Sequence, residues 1–346
     1  MDLYALGWSS FRNLNDVDTS TVARVTAIHR SYFRAINSET ELNLYLSGQV
    51  TESLAVGDWV IHTPLFEDEQ GEKAAIIKEI VQRKSLLSRW TNRGEQVIAA
   101  NIDTVFVVTS ANQDFNLNRL QRFLLLIKKG GAYPVVILSK SDLLDNPNQL
   151  LQEVEARLQI KVITTSIVKE VGINEIFDLM PLGSTSVFVG SSGVGKSSLV
   201  NRLLGQEVQG TQGVRKDDDK GRHTTTSRQM FFIPGKGLII DTPGVREVQV
   251  FGGAEVVDQT FPEVSTLISR CRFSDCGHSN EPGCAVREAI EKGALEEKEW
   301  QNYQKLQREV AFAVRKVDKA ESANSKKRWK KINMEYKQQK KFKNKN

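Results

Sequence analysis

Two patterns of hydrophobic and polar positions divide the chain. Between Thr21 and about Arg83 the runs are short. "VARVTAIHRSYFRAI", "ELNLYLSG" and "GDWVIHT" bring bulky and β-branched residues such as Val22, Arg24, Thr26 and Ile28 at close spacing. Gly48, the pair Gly57-Asp58 and Pro64 punctuate these runs as turns. They predict a small β-barrel, either a packing module or an OB-fold that touches RNA. "QRKSLLSRWTNRGEQ" has no clear period and reads as a polar, basic connector.

From Asn101 the pattern changes. "DTVFVVTS" is a continuous apolar run of the kind buried on both faces of a parallel sheet. Behind it Leu117, Leu120, Phe123, Leu124 and Ile127 recur at helical spacing, and Gly130 ends the helix. Strand-like "PVVILS", helix-like "NQLLQEVEARL", strand-like "KVITTS" and helix-like "INEIFDLM" follow. "STSVFVG" then feeds a Gly/Ser-rich loop and a helix, and "QMFFIP" and "GLIIDTPG" complete the set. Alternation of this kind predicts an α/β domain of about 150 residues with a covered parallel sheet. Beyond it, Ala285 onward reads as helix rich in Glu, Lys and Gln.

Composition adds limits. A length of 346 residues holds two or three domains, and 40% hydrophobic with 26% charged residues suits a chain that buries a core in water. "MDLYALGWSSFRNLND" lacks the basic-then-apolar order of a signal peptide, and no apolar run approaches the ~18 residues of a spanning helix. A cytoplasmic protein without membrane contact is expected. The net charge of +5 is unevenly placed: Lys326 to Asn346 hold ten Lys/Arg against one acid, so the rest of the chain stands at −4. Such a tail is either a solubilising end or an arm for a polyanion.

The chemistry starts at Gly190-Ser191-Ser192-Gly193-Val194-Gly195-Lys196-Ser197, which matches G-x-x-x-x-G-K-[ST] between a strand and a helix. Glycines there let backbone N–H groups, with Ser198 at the start of the helix, curl around a phosphate, and the helix adds its positive end. Lys196 is placed to reach the β- and γ-phosphates and Ser197 to bind Mg²⁺. "DTPG" offers Asp241 to Mg²⁺ through water and the Gly244 N–H to a γ-phosphate. Between them, "KGRHTTTSRQ" contains Thr224 and Thr225, either of which completes the Mg²⁺ shell, and His223, a catalytic candidate or a plain surface histidine.

About fifty residues before the phosphate loop, Ser139-Lys140-Ser141-Asp142 follows the strand "PVVIL". Asp142 can accept from the ring N–H and the exocyclic amine of guanine, a pairing adenine does not offer. The alkyl stem of Lys140 can cover the base, and the Ser166 backbone N–H can meet the guanine carbonyl oxygen. A lone Lys-x-Asp is a weak signal, but at the end of a buried strand of the same sheet it is strong. The order base, base, phosphate, switch, switch is that of a circular permutation, which a sheet tolerates when the new ends fall in exposed loops.

Cys271, Cys276, His278 and Cys284 supply four soft ligands in a short span. That set suits a closed tetrahedral Zn²⁺ site with a structural role rather than three unrelated thiols or a disulfide. "EEKEWQNYQKLQREVAFAV" places Trp300, Tyr303 and Leu306 on one helix face, and "KKRWKK" and "KKFKNK" interleave aromatics with cations.

With the motif order, "GRHTTT", "DTPG" and the cysteine cluster in view, the chain resembles the RsgA/YjeQ family of circularly permuted small ribosomal subunit biogenesis GTPases over nearly its whole length. The resemblance implies an N-terminal OB-fold, GTP hydrolysis stimulated by the small (30S) ribosomal subunit, and a part in its late maturation. The partners expected are the 30S subunit and its 16S rRNA, the ligands GTP/GDP, Mg²⁺ and one structural Zn²⁺, and the protein a monomer. The expected divisions are an N-terminal arm (1–20), an OB-fold β-barrel (21–95), a circularly permuted α/β GTPase domain (96–253), a zinc-binding α-helical module (254–325) and a basic tail (326–346). Two rivals are an ATP-using phosphotransferase, disfavoured by Asp142, and an RNA-binding scaffold with structural nucleotide.

Two positions depart from the common pattern. The base-reading loop opens on Ser139 where Asn is usual, with an expected loss of about 0.5–1.5 kcal/mol in guanine binding that Ser139→Asn recovers. Val245 stands where a water-positioning glutamine otherwise sits, a departure shared with the family, so intrinsic turnover is expected to be slow.

Overall fold

A computed structural model describes the chain apart from residues 1, 10, 12–16, 49, 51, 92–93, 112–114, 192, 206–227, 243–256, 259, 280, 313 and 316–346. It divides into two compact units, one of Met1–Thr91 with Glu95–Gln249, the other of Asn92–Gly94 with Val250–Asn346. No helix among the described residues is long and apolar enough to cross a membrane.

The first unit opens on β1 (Val22–Ile28), β2 (Phe33–Ile36), β3 (Glu41–Leu46), β4 (Trp59–His62), β5 (Phe66–Glu67) and β6 (Lys73–Ile80). Strands β1-β2-β3-β6-β4 are hydrogen-bonded in that order and β4 returns to β1, closing the barrel that the sequence predicts, with β5 on β6. Ala23, Val25, Ala35, Leu42, Leu44, Val60, Ala75 and Ile77 fill its interior. Small and branched residues together suit so narrow a space. A register shift between Val25 and Ala27 bends β1.

The segment read as a connector is instead a two-stranded ribbon, β7 (Leu86–Thr91) with β8 (Gly94–Ala100). Its apolar stripe is weak because polar pairs span the strands: Ser88 to Glu95 at 2.6 Å and Arg89 to Gln96 at 2.9 Å.

The α/β part follows as β9 (Thr104–Ser110), α1 (Leu117–Lys129), β10 (Tyr133–Ser139), α2 (Pro147–Leu158), β11 (Val162–Thr165), α3 (Ile173–Asp178), β12 (Thr185–Gly190), α4 (Lys196–Leu204), β13 (Gln229–Phe232) and β14 (Leu238–Asp241). Strands β11-β10-β9-β12-β14 are parallel neighbours. Every residue of β9 is buried. Val105 and Val107 pack on one side with Leu120, Phe123, Leu124 and Ile127 of α1. Phe106 and Val108 pack on the other with Leu199, Val200 and Leu203 of α4. Each such side chain contributes about 1.5–3 kcal/mol by leaving water. From β9 the chain builds outward to β10 and β11, then returns to the opposite side as β12. That reversal, at the carboxyl ends of β9 and β12, is where an open α/β sheet binds ligands.

Barrel and sheet are continuous. At the outer edge, β13 runs antiparallel to β14 and also pairs with β1, Ala27 opposite Gln229. Arg24, 1% exposed, reinforces the junction. Its guanidinium donates to Thr185 Oγ1 at 2.7 Å, to the Asn101 carbonyl at 3.2 Å, and to the Leu6 carbonyl of the N-terminal arm. It also lies over the Trp59 ring at 5.3 Å. Burial pulls its pKa down to about 10, opposed by Asp103 and Asp58, so it stays charged at neutral pH.

In the second unit, helices Pro262–Ser269, Ala285–Glu291 and 297–312 bury Val264, Val286, Trp300, Tyr303, Leu306 and Val310. Trp300 stacks on Tyr303 at 5.5 Å, as the shared helix face predicts.

Candidate nucleotide site and metal centre

The phosphate loop joins β12 to α4 at the carboxyl edge of the sheet. Gly190, Gly193 and Gly195 hold φ of 144°, 79° and 92°, a region where a Cβ is strained. At Gly190 there is a second reason, since a Cβ would press on the Val108 carbonyl of the neighbouring strand. Gly195 caps α4, leaving the first amides of that helix to face the loop. Lys196 Nζ donates to the carbonyls of Gly190 at 2.8 Å and Ser191 at 2.6 Å, folded back over the loop it serves. Val194 is buried; Ser191, Gly195, Lys196, Ser197 and Ser198 are half-buried and Gly193 is exposed.

The loop after β10 meets it directly. Ser139, buried at the strand end, donates its hydroxyl to the Val194 carbonyl at 2.5 Å and lies 3.1 Å from the Thr109 carbonyl. Lys140 adopts a left-handed backbone (φ 58°), and its Nζ donates to the Gly193 carbonyl at 2.8 Å. Its stem therefore bridges from the base side to the phosphate side. Ser141 is buried and opens the short 3-10 turn that carries Asp142. Asp142 Oδ1 accepts from Ser166 Oγ at 2.5 Å. That bond, more than Lys169 and Lys140 nearby, holds the carboxyl below the usual carboxylate range.

One sequence expectation needs correcting. The Ser166 backbone N–H is bonded to the Val171 carbonyl at 3.2 Å, and the Val171 N–H returns to the Ser166 carbonyl at 2.9 Å. That N–H is committed within its own turn, so Ser166 acts through its hydroxyl on Asp142. The tight bridge between Ser166 and Val171 is not readable from residue order.

Asp241 ends β14, next to β12 in the sheet. Burial raises its carboxyl above the usual range, opposed by the Thr242 N–H and by Lys196. Ser192, His223, Thr224, Thr225, Gly244, Val245 and the basic tail lie outside the described residues.

The metal cluster is in the second unit. The ligand atoms of Cys271, Cys276, His278 and Cys284 all lie within 4.8 Å of one another, and His278 Nδ1 is 3.5 Å from both Cys271 and Cys284 sulfurs. Those separations fit the edges of a tetrahedral Zn²⁺ site with sulfur at about 2.3 Å and nitrogen at about 2.0 Å. His278 takes a left-handed φ of 56° to turn its ring inward, and Trp300 packs edge-on against it at 5.2 Å. Burial and the neighbouring thiols push the Cys276 thiol up to about 11, whereas burial is outweighed at Cys271 by the Ala285 and Val286 N–H groups. A dication would fit this donor set by favouring its sulfurs as thiolates.

A phosphate loop on β12, an acid on the adjacent β14 and a base-side loop on β10 that precedes both in the chain define a circularly permuted GTPase fold. The family described as RsgA GTPase matches residues 80–251, and a protein of Vibrio parahaemolyticus named small ribosomal subunit biogenesis GTPase RsgA 2 is 43% identical over 90% of this chain and 86% of its own. The chain belongs to the RsgA family of small ribosomal subunit biogenesis GTPases.

Other members agree. One from Opitutus terrae is 39% identical over 96% of each chain, and one from Methanosarcina acetivorans is 37% identical over 92% of this chain and 87% of its own. The crystal structure of YjeQ from Thermotoga maritima superposes with a TM-score of 0.62 at 28% identity, covering 84% of this chain and 98% of that one. YloQ, described as a circularly permuted GTPase, shares the fold with a TM-score of 0.60, covering 84% of this chain and 94% of that one, at 23% identity. A second family, described as 50S ribosome-binding GTPase, matches residues 185–343. The two descriptions name different subunits; the small-subunit name belongs to relatives aligned over nine-tenths of the chain, the other to a match confined to its second half.

Proposed function

We propose that this GTPase binds the small (30S) ribosomal subunit and its 16S rRNA, acts late in maturation of that subunit, and is released when GTP is hydrolysed. The 30S partner rests on the names of its relatives. The observation that carries the nucleotide reading is the direct bonding of the two loops, Ser139 to Val194 and Lys140 to Gly193. Residues far apart in sequence are thereby held in direct contact at the carboxyl ends of the strands.

In this reading the backbone from Gly190 to Ser198 cradles the phosphates. Lys196 leaves its two loop carbonyls for phosphate oxygens. Ser197, Asp241 and one of Thr224 or Thr225 surround Mg²⁺, and the Gly244 N–H meets the γ-phosphate. Asp142 reads the guanine edge under the Lys140 stem, Ser166 orients Asp142, and the N–H of Ile167, next in the turn, takes the carbonyl oxygen. His223 stands beside the γ-phosphate. Cys271, Cys276, His278 and Cys284 hold one structural Zn²⁺. The barrel, zinc module and basic tail grip rRNA, the protein acts as a monomer in the cytoplasm, and the five divisions expected from sequence are its working parts.

GTP turnover measured with and without purified 30S particles, with Lys196→Ala as control, tests the switch. Stimulation by 30S that Lys196→Ala abolishes is expected; equal turnover with and without particles overturns it. Asp142→Asn tests the base reading separately. An amide there offers a donor to the extra carbonyl of xanthine, so preference should move from guanosine to xanthosine nucleotides. Unchanged preference would remove Asp142 from the site.

A further inference from the structure

We infer that Arg119 is a positioning residue for GTP hydrolysis, holding the first half of the phosphate loop from the opening turn of α1. The inference rests on the nucleotide reading above. Asn116 caps α1 by accepting from the Arg119 N–H at 3.0 Å, which fixes the turn that carries the side chain. From there Arg119 crosses to the loop after β12, and its Nη1 donates to Ser191 Oγ at 2.7 Å. On the other side of the same residue, Lys196 Nζ donates to the Ser191 carbonyl at 2.6 Å. Two cations from different elements thus grip Ser191.

A loop with three left-handed glycines gives up much conformational freedom when it is ordered, so external ties decide how well it is formed. Its second half is tied through Val194 and Gly193 to the base-side loop. Its first half is tied by Lys196 and Arg119. When phosphates arrive, Lys196 exchanges the Gly190 and Ser191 carbonyls for phosphate oxygens. Arg119 then remains on Ser191, next to the position of the Lys196 ammonium and hence of the terminal phosphates. A charged donor makes this a stronger tie than a neutral one. Its effect should appear in the rate, because small displacements of a phosphate-binding group are felt most in the transition state.

The test is single-turnover and steady-state GTP hydrolysis by the full chain with 30S particles, for Arg119→Ala, Arg119→Lys, Ser191→Ala and the Arg119→Ala/Ser191→Ala double variant. Fluorescent GDP binding and thermal melting are followed in parallel. Arg119→Ala is expected to lower kcat by about tenfold with KM and GDP affinity within about twofold of the parent. Arg119→Lys should recover part of the loss, and Ser191→Ala should reproduce it. The double variant should be no slower than either single one, because both remove the same tie. A kcat within about twofold of the parent for Arg119→Ala, or multiplicative losses in the double variant, overturns the inference. If Arg119→Ala melts early, Ser191→Ala, which leaves α1 intact, carries the decision. Failure of the parent protein to bind or hydrolyse GTP would instead sink the nucleotide reading.

Discussion

The Ser139 hydroxyl donates to the Val194 carbonyl across 55 positions of sequence, welding the base-side loop to the phosphate loop. A serine in this place therefore does a connecting task even though it is shorter than the amide usual there. Ser139→Ala leaves buried carbonyls without their donor, which costs about 1–3 kcal/mol. GDP dissociation measured by stopped flow should speed up by about tenfold or more. For Ser139→Asn two effects oppose: the hydrogen bonds gained and the crowding of a longer side chain into a 6% exposed position, about 1–3 kcal/mol. The alanine variant has no such ambiguity of sign.

Asp142 supplies a pH test. Its carboxyl is lowered by the Ser166 hydroxyl, so the anion that accepts from guanine persists on acidification. Affinity for GDP should be flat above the ordinary carboxylate range and fall only as pH drops through the depressed value. Ser166→Ala removes the donor, so the midpoint of that fall moves to higher pH. A midpoint that stays put in a titration of GDP affinity would separate Ser166 from Asp142.

Arg24 is a buried cation whose partners come from the arm, the barrel junction and the first residue of β12. Arg24→Met is expected to destabilise the protein by about 3 kcal/mol or more, because it strands several buried acceptors at about 1–3 kcal/mol each, while Asp58 and Asp103 keep Arg83 and Lys84. Urea denaturation should show a lower midpoint with little change in slope. A loss under about 1 kcal/mol would mean that the junction is held by strand pairing alone.

Removal of metal is expected to unfold the zinc-bearing segment and leave the nucleotide site working. A chelator should release one zinc per chain and expose Cys271, Cys276 and Cys284 to a thiol reagent, while GDP affinity holds. Thiols equally reactive before and after chelation would exclude a metal from the cluster.

Much of this was legible in the sequence because it is local or periodic. The apolar run of β9 announces a strand covered on both faces, and its all-buried pattern follows. The glycines, Lys196 and Ser197 are fixed by spacing on one loop, and the Cys271, Cys276, His278 and Cys284 cluster by theirs. What stayed hidden depends on partners remote in sequence. Arg24 reads as one more polar residue in a barrel strand, since nothing nearby says that its acceptors lie at Asn101 and Thr185. The β7–β8 ribbon hides because its strands are joined by polar pairs rather than by an apolar face. The Ser166 backbone N–H looks available from residue order, and only the bridge to Val171 shows that it is engaged.

The pairing of Ala27 with Gln229 has a mechanical side. β13 is the rung between the segment containing Thr224 and Thr225 and the one that begins at Asp241. A barrel paired to that rung through the main chain is tied to the one strand that joins the two segments. That tie is built from backbone, so changing side chains on the barrel's surface leaves it intact.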